Sequence, residues 1–206
     1  MKIIDISMTL DKTTPPWPGD ERYNYSLTWS MQETGAVNVG SIKMSNHTGT
    51  HVDAPFHYAS AGLKIADLPL ERFHGIALVV DVSGKKTVEA KDLQDTDLTG
   101  ISKLILQTKS WQDRSEFPPS YTVLGEDLGS FLKANGIDLV GVDTPSVDPE
   151  TSKELKAHHS LHKNDVLILE GLVLDHVKAG IYELNAFPLK MTEADGSPVR
   201  AVLKQI

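Results

Sequence analysis

No cysteine occurs in the 206 residues. That removes disulfides, thiolate metal ligands and a thiol nucleophile together, and leaves histidine and carboxylate as the side chains able to hold a metal. No apolar run approaches the roughly 18 to 20 residues that a membrane-spanning helix needs. Neither end carries a basic-then-apolar leader, so a soluble, cytoplasmic protein is expected. A basic excess is missing too: 20 lysines and arginines stand against 28 aspartates and glutamates, a formal net charge of −8. Nucleic-acid binding depends on cations that neutralise phosphates, so no such partner is expected. The pair Lys85-Lys86 reads as a solvated turn after Gly84. Also absent are a G-x-S-x-G elbow, a P-loop, a G-x-G-x-x-G after a strand and any internal repeat of 20 to 50 residues. Ser41, Ser45 and Ser60 are plain serines.

What is present suits one compact α/β domain, with 40% of residues hydrophobic and no linker-like composition dividing the chain. Short, branched segments flanked by breakers predict strands at Ile3 to Ile6, Val39 to Met44, Ile76 to Val82, Leu104 to Gln107, Leu139 to Val142, Val166 to Leu169 and Val199 to Leu203. Several look buried on both faces. Helices are expected over Glu126 to Asn135, which stops at Gly136, and over Pro149 to His162, which opens on a proline. Thr13-Thr-Pro-Pro-Trp17-Pro-Gly-Asp20 holds three prolines without amide donors and reads as a stiff loop.

The chemistry concentrates in His47-Thr-Gly-Thr-His51-Val-Asp53-Ala-Pro-Phe-His57. Spacings of four and two put His47, His51 and Asp53 on one side of an extended chain. On a helix Asp53 would turn away by about 240°, and Thr48-Gly49-Thr50 is poor helix material. An extended or bent loop follows, with Gly49 free to bend and Pro55 stiffening the approach to His57. Imidazole and carboxylate suit zinc or manganese, and an aspartate has two oxygens with which to bridge two ions. Two histidines and an aspartate leave coordination sites open, as hydrolysis by an activated water requires. His57 is placed to move protons. A single loop histidine is ordinarily bonded to backbone; three beside an aspartate within eleven residues point to a site.

A second cluster, His158-His159 with His162, precedes Glu170. Glu170 ends the apolar run from Val166 to Leu169, where a buried carboxylate needs a positive partner, either metal ions or a lysine or arginine. At least two of the three histidines are expected to be free of any metal, and spacing alone leaves the choice among them open. Asp143-Thr-Pro145 and Asp148-Pro149 read as turns, and His74 as a background histidine.

The eleven-residue run is similar to the H-x-G-T-H-x-D-x-P-x-H signature of the metal-dependent cyclase superfamily. The likeness to its bacterial kynurenine formamidase (arylformamidase) branch extends along the chain through Trp17-Pro-Gly-Asp, Gly141-Val-Asp-Thr-Pro-Ser-Val-Asp-Pro, His158-His159, Ile168-Leu-Glu170 and Asp195-Gly-Ser-Pro-Val-Arg-Ala201. The resemblance implies a mixed-sheet, swivelling β/β/α cyclase-like fold and a homodimer. It also implies two divalent ions per subunit: zinc, with manganese or cobalt as alternatives. His47, His51 and Asp53 would hold one ion, with Asp53 and Glu170 bridging to a second that His158 completes. The choice of His158 follows the family spacing to Glu170, with His159 as the fallback. His57 would be the proton shuttle, and Trp17 would lie against an aromatic substrate. The implied reaction is hydrolysis of N-formyl-L-kynurenine to L-kynurenine and formate, in tryptophan degradation by the kynurenine pathway. A sister hydrolase acting on isatin or another cyclic amide or ester is the alternative, and a non-catalytic binder of a small carboxylate is a third reading. Gly171, after Glu170, stands where other members carry asparagine.

Overall fold

The computed structural model describes residues 2–206. Strands form in chain order as β1 (Ile3–Asp5), β2 (Asn24–Trp29), β3 (Val39–Lys43), β4 (His51–Asp53), β5 (His74–Asp81), β6 (Thr87–Val88), β7 (Lys103–Gln107), β8 (Val123–Leu124), β9 (Leu139–Val142), β10 (Leu167–Glu170), β11 (Gly180–Asn185), β12 (Gly196–Pro198) and β13 (Val202–Gln205). Helices are α1 (Met31–Thr34), α2 (Leu128–Ala134) and α3 (Lys156–Lys163). Nine strands make one mixed sheet in the order β1-β13-β11-β5-β7-β9-β10-β4-β12. Its centre, β5-β7-β9-β10, is parallel, and antiparallel strands close both flanks.

The central strands are largely apolar because both faces are covered, which erases the polar alternation of a half-buried strand. Alternate residues feed two cores. Ile105, Leu139, Leu167 and Leu169 pack on one face with Ile6, Val52 and Phe73. Leu104, Leu106, Val140, Val142 and Ile168 pack on the other, beneath Leu128 and Leu132 of α2 and Ala157 and Leu161 of α3. Lys103, a cation buried at the start of β7, is paired with Asp138. No helix among the described residues is long and apolar enough to cross a membrane.

Two expected elements are corrected. The helix predicted from Pro149 begins only at Lys156: Pro149 opens a turn closed by the Ser152 amide at 2.8 Å, and Leu155 sits at φ 45°, a left-handed conformation that a continuing helix excludes. The last strand begins at Val202, three residues later than expected, because Val199 donates to the Thr50 carbonyl and Ala201 accepts from Ile6. An unpredicted strand, β2, pairs with β3 in a separate two-stranded sheet, and every residue of both is exposed. Buried on neither face, β2 offers no contrast from which a period could be read. The proline-rich loop carries no regular structure, although Thr14 and Pro16 are buried.

Candidate metal centre

Strand register assembles the site. In the antiparallel pair β10 and β4, Glu170 faces His51 and Ile168 faces Asp53, while Val52 and Leu169 occupy the opposite face. With side chains alternating at period two, His51, Asp53 and Glu170 emerge together on the Ile168 side, where α3 lies. Helix α3 presents His158 there between the core residues Ala157 and Leu161. His51, Asp53, His158 and Glu170 are all buried. His51 Nε2 lies 3.4 Å from both Asp53 Oδ1 and Glu170 Oε2, and His158 Nε2 lies 3.5 Å from Asp53 Oδ2 and 3.8 Å from Glu170 Oε1. His47 arrives from the preceding turn, its Nδ1 3.0 Å from Asp53 Oδ1. Among the described residues the partners of Glu170 are His51, His158 and the Val147 amide, which donates to Oε1 at 2.8 Å, and not the lysine or arginine that the sequence also allowed.

His159 and His162, on the same helix, turn elsewhere: His159 is exposed, and His162 lies half-buried with its ring 5.4 Å from that of Tyr58. His74 is remote, bonded to Asn185 and stacked on Phe187. His57, on the short helical turn of Pro55–His57, stacks against His47 with ring centroids 4.0 Å apart. One ring nitrogen of His57 is within 4.8 Å of ligand atoms of Asp53 and His158, as those of His47, His51 and Asp53 are of one another.

The outer nitrogens of these three rings are spoken for. His51 Nδ1 donates to the Gly49 carbonyl at 3.0 Å, His158 Nδ1 to Asp148 Oδ2 at 2.8 Å and His47 Nε2 to Asp195 Oδ2 at 3.0 Å. Inward-facing atoms are left over: His51 Nε2 and Asp53 Oδ2 are buried without a hydrogen-bond partner. Electrostatics follow the same layout. Burial works against the charged form of His47, His51 and His158, yet the adjacent carboxylates of Asp195 and Asp53, of Asp53 and Glu170, and of Asp148 and Asp53 outweigh it. The pKa values rise to about 9, about 10 and about 10. Burial would raise Asp53, but its three histidines hold it well below the carboxylate range. His57 makes no hydrogen bond to a carboxylate, and partial desolvation pushes its pKa down.

Above these groups opens a cavity of about 290 Å³ walled by Trp17, Pro145, Ser146, Glu150 and Leu155, with His57 at its side. Trp17 is braced edge-on by Phe117 at 5.2 Å. The arrangement can bind cations at its floor, move a proton at its wall and receive a flat group at its mouth.

Residues 4–149 match the family model described as a putative cyclase. Over 203 residues, 98% of this chain, the sequence is 49% identical to the kynurenine formamidases of Geobacillus thermodenitrificans and Bacillus cereus, covering 97% of each. The chain belongs to the cyclase family, in its kynurenine formamidase branch. The structure of a predicted metal-dependent hydrolase from Bacillus stearothermophilus superposes on this cyclase-family chain with a TM-score of 0.81 at 26% identity, covering 98% of this chain and 97% of that one. Isatin hydrolase A from Labrenzia aggregata shares the fold, with a TM-score of 0.84 at 24% identity, covering 98% of this chain and 93% of that one.

Sequence reasoning misses two contributors to this cyclase-family site. Asp148 reads as a turn residue, and no role falls to Asp195. Asp148 does carry a signal: an acidic residue ahead of a helical histidine caps the helix and can reach the ring. Asp195 carries none beyond the family likeness of its segment, because 142 residues separate it from Asp53, beside which β12 places it.

Proposed function

We propose that this chain hydrolyses the formyl amide of N-formyl-L-kynurenine, giving L-kynurenine and formate. The observation that carries the reading is the pair of buried, unpartnered donor atoms on His51 and Asp53, the first on a residue that lines the same cavity as Trp17. Such atoms are costly unless an ion meets them, and an all-nitrogen-and-oxygen donor set without thiolate fits a divalent metal. His47, His51 and Asp53 would hold one ion; Asp53, Glu170 and His158 would hold the second, zinc being the first choice and manganese or cobalt compatible with the same donors. Bound there, the ions supply Lewis acidity that polarises a carbonyl and acidifies water.

The protein's own side chains do the rest. Asp53 and Glu170 neutralise the positive charge collected at the floor of the cavity. Trp17, half-buried and fixed by Phe117, offers a rigid face to the anilide ring and sets the formyl group over the histidines. His57, whose pKa partial desolvation lowers, takes a proton from the attacking water. As the oxygen–carbon bond forms and the carbon–nitrogen bond breaks, it returns that proton to the departing aryl amine, and formate leaves with the water oxygen while the water's second proton passes to solvent.

A homodimer completes the proposal. The β2-β3 hairpin exposes Tyr25, Leu27, Trp29, Val39 and Ile42, each at least 39% accessible, and an apolar arm of this kind suits a contact with a second copy. The test is a spectrophotometric assay of metal-loaded protein with N-formylkynurenine, with isatin and formanilide in parallel. Turnover of N-formylkynurenine well above both is expected. Preferential turnover of isatin would replace this reading with that of a cyclic-amide hydrolase.

A further inference from the structure

We propose that Asp195 is a positioning residue that sets His47 and His57 together, so that one carboxylate ties the first metal site to the proton shuttle. The inference rests on the roles proposed above for those two histidines.

Asp195 immediately precedes β12. Its carbonyl accepts from the Ala54 amide at 2.8 Å, and Gly196 is in register with Asp53, so its backbone is locked to the strand that carries the bridging aspartate. Asn46 Nδ2 donates to Oδ1 at 2.9 Å, which fixes the plane of the carboxyl group. The other oxygen, Oδ2, then faces two imidazoles at once: His47 Nε2 at 3.0 Å and His57 Nδ1 at 3.5 Å. The two rings are stacked with their planes 34° apart, so neither can turn without displacing the other or losing Oδ2.

A neutral imidazole carries one proton. When Nε2–H of His47 donates to Asp195, the lone pair resides on Nδ1, the nitrogen that lies 3.0 Å from Asp53 Oδ1 among the ligand atoms. Asp195 therefore selects the tautomer in which His47 can ligate, as carboxylates behind metal-bound histidines do. The same oxygen, at ion-pair distance from Nδ1 of His57, favours the proton on that nitrogen and the lone pair on Nε2, the nitrogen left to accept a proton. Room for any alternative is small: a side chain at Gly196 would meet His47 Cε1 at 2.8 Å.

The experiment compares wild type with Asp195→Ala, Asp195→Asn and Asn46→Ala. Zinc affinity of metal-stripped protein is measured by chelator competition, and histidine tautomers by long-range proton–nitrogen correlation spectra of the zinc-loaded protein. Asp195→Ala is expected to weaken one zinc site about 10- to 100-fold and to turn the single Nε2–H signature of His47 into a mixture. Asp195→Asn keeps an oxygen acceptor and should hold affinity within a few-fold of wild type. Asn46→Ala removes a hydrogen bond to Asp195 and none to either imidazole, and should weaken the same site in the same direction, by less. Wild-type affinity and an unchanged tautomer in Asp195→Ala would overturn the proposal. So would equal loss in the alanine and asparagine variants, which would make Asp195 a ligand by charge. Both readouts need no substrate, so a failure of the formamidase reading is recognised separately, by the absence of turnover in fully metallated wild type.

Discussion

Asp148 holds His158 by backbone and ring together. Its Oδ2 accepts from the His158 amide at 3.0 Å and from Nδ1 at 2.8 Å, while Oδ1 accepts from the Ala157 amide at 3.1 Å. The carboxylate that satisfies the first free amides of α3 is thus also the one that points His158 Nε2 at Asp53 and Glu170. Helix start and histidine orientation are a single event.

Removing that carboxylate should cost twice. Asp148→Ala is expected to lower stability by about 1 kcal/mol through the lost cap. It should also weaken the second metal site by about 10- to 100-fold through the freed imidazole. Denaturant unfolding of the metal-free protein measures the first effect, and zinc titration the second. A variant that loses stability but titrates like wild type would restrict Asp148 to capping.

His57 should separate from the ligands in its phenotype. It stacks on His47, yet no buried donor depends on it. His57→Ala is therefore expected to retain wild-type metal content while kcat falls about 10²- to 10⁴-fold, the range for losing a general acid–base group. Asp53→Asn, by contrast, should lose metal and activity together. Metal analysis beside steady-state kinetics decides the matter, and full turnover by His57→Ala would remove it from the mechanism.

Without metal, the cluster should make stability fall as pH rises. The folded-state pKa values of His47, His51 and His158, about 9, about 10 and about 10, lie above the ordinary histidine value near 6.5. Groups raised on folding stabilise fully below their unfolded pKa, and that contribution disappears as pH climbs through the folded values. Asp53, depressed by the same contacts, stays ionised throughout this window. Chelator-treated protein is thus expected to lose thermal stability between about pH 7 and 10. Zinc-loaded protein should lose less, because metal replaces the protons. Melting curves across that range test it; a flat profile for the stripped protein would contradict the cluster's electrostatics.

The apolar hairpin should govern assembly and not folding. Leu27 and Trp29 are 48% and 58% exposed and belong to neither core, so Leu27→Asp with Trp29→Asp removes no internal packing. The double variant is expected to shift the mass measured by light scattering from dimer to monomer with an unchanged melting temperature for the monomeric fold. A wild type already monomeric at micromolar concentration would refute the dimer outright.

How far the site is legible depends on which residues are neighbours in the chain. His47, His51, Asp53 and His57 sit within eleven residues, and the strand period places His51 beside Asp53 before any fold is known. Glu170 declares itself as a charge ending a buried run. The central strands are readable because they are apolar nearly throughout, whereas β2, exposed on both faces, leaves no pattern. Asp195 lies 142 residues from Asp53, and only the antiparallel pairing of β12 with β4 makes them adjacent. The late start of α3 is likewise hidden, since it depends on Asp148 taking the amides of Ala157 and His158.

Gly171 supports the site from behind, and its side of the strand leaves no space for a methyl group. It adopts φ 67°, donates its amide to the Thr144 carbonyl at 2.9 Å and accepts from Thr50 Oγ1 at 2.6 Å. A Cβ added there would lie 2.3 Å from the carbonyl oxygen of Gly49, the oxygen that accepts from His51 Nδ1. Alanine therefore meets two penalties: left-handed backbone strain of about 1–2 kcal/mol and a collision that must push away the group orienting His51. Gly136 provides the control, because it has φ 77° and a Cβ added to it would meet nothing within 4 Å. Gly136→Ala should show the strain alone, with metal affinity unchanged. Gly171→Ala should be the less stable of the two and should bind the first metal more weakly, because His51 loses its fixed orientation. Unfolding and zinc titration of the two variants side by side separate strain from collision. If both lose the same stability and both bind zinc like wild type, the Gly49 carbonyl has no hold on His51 that matters to the site.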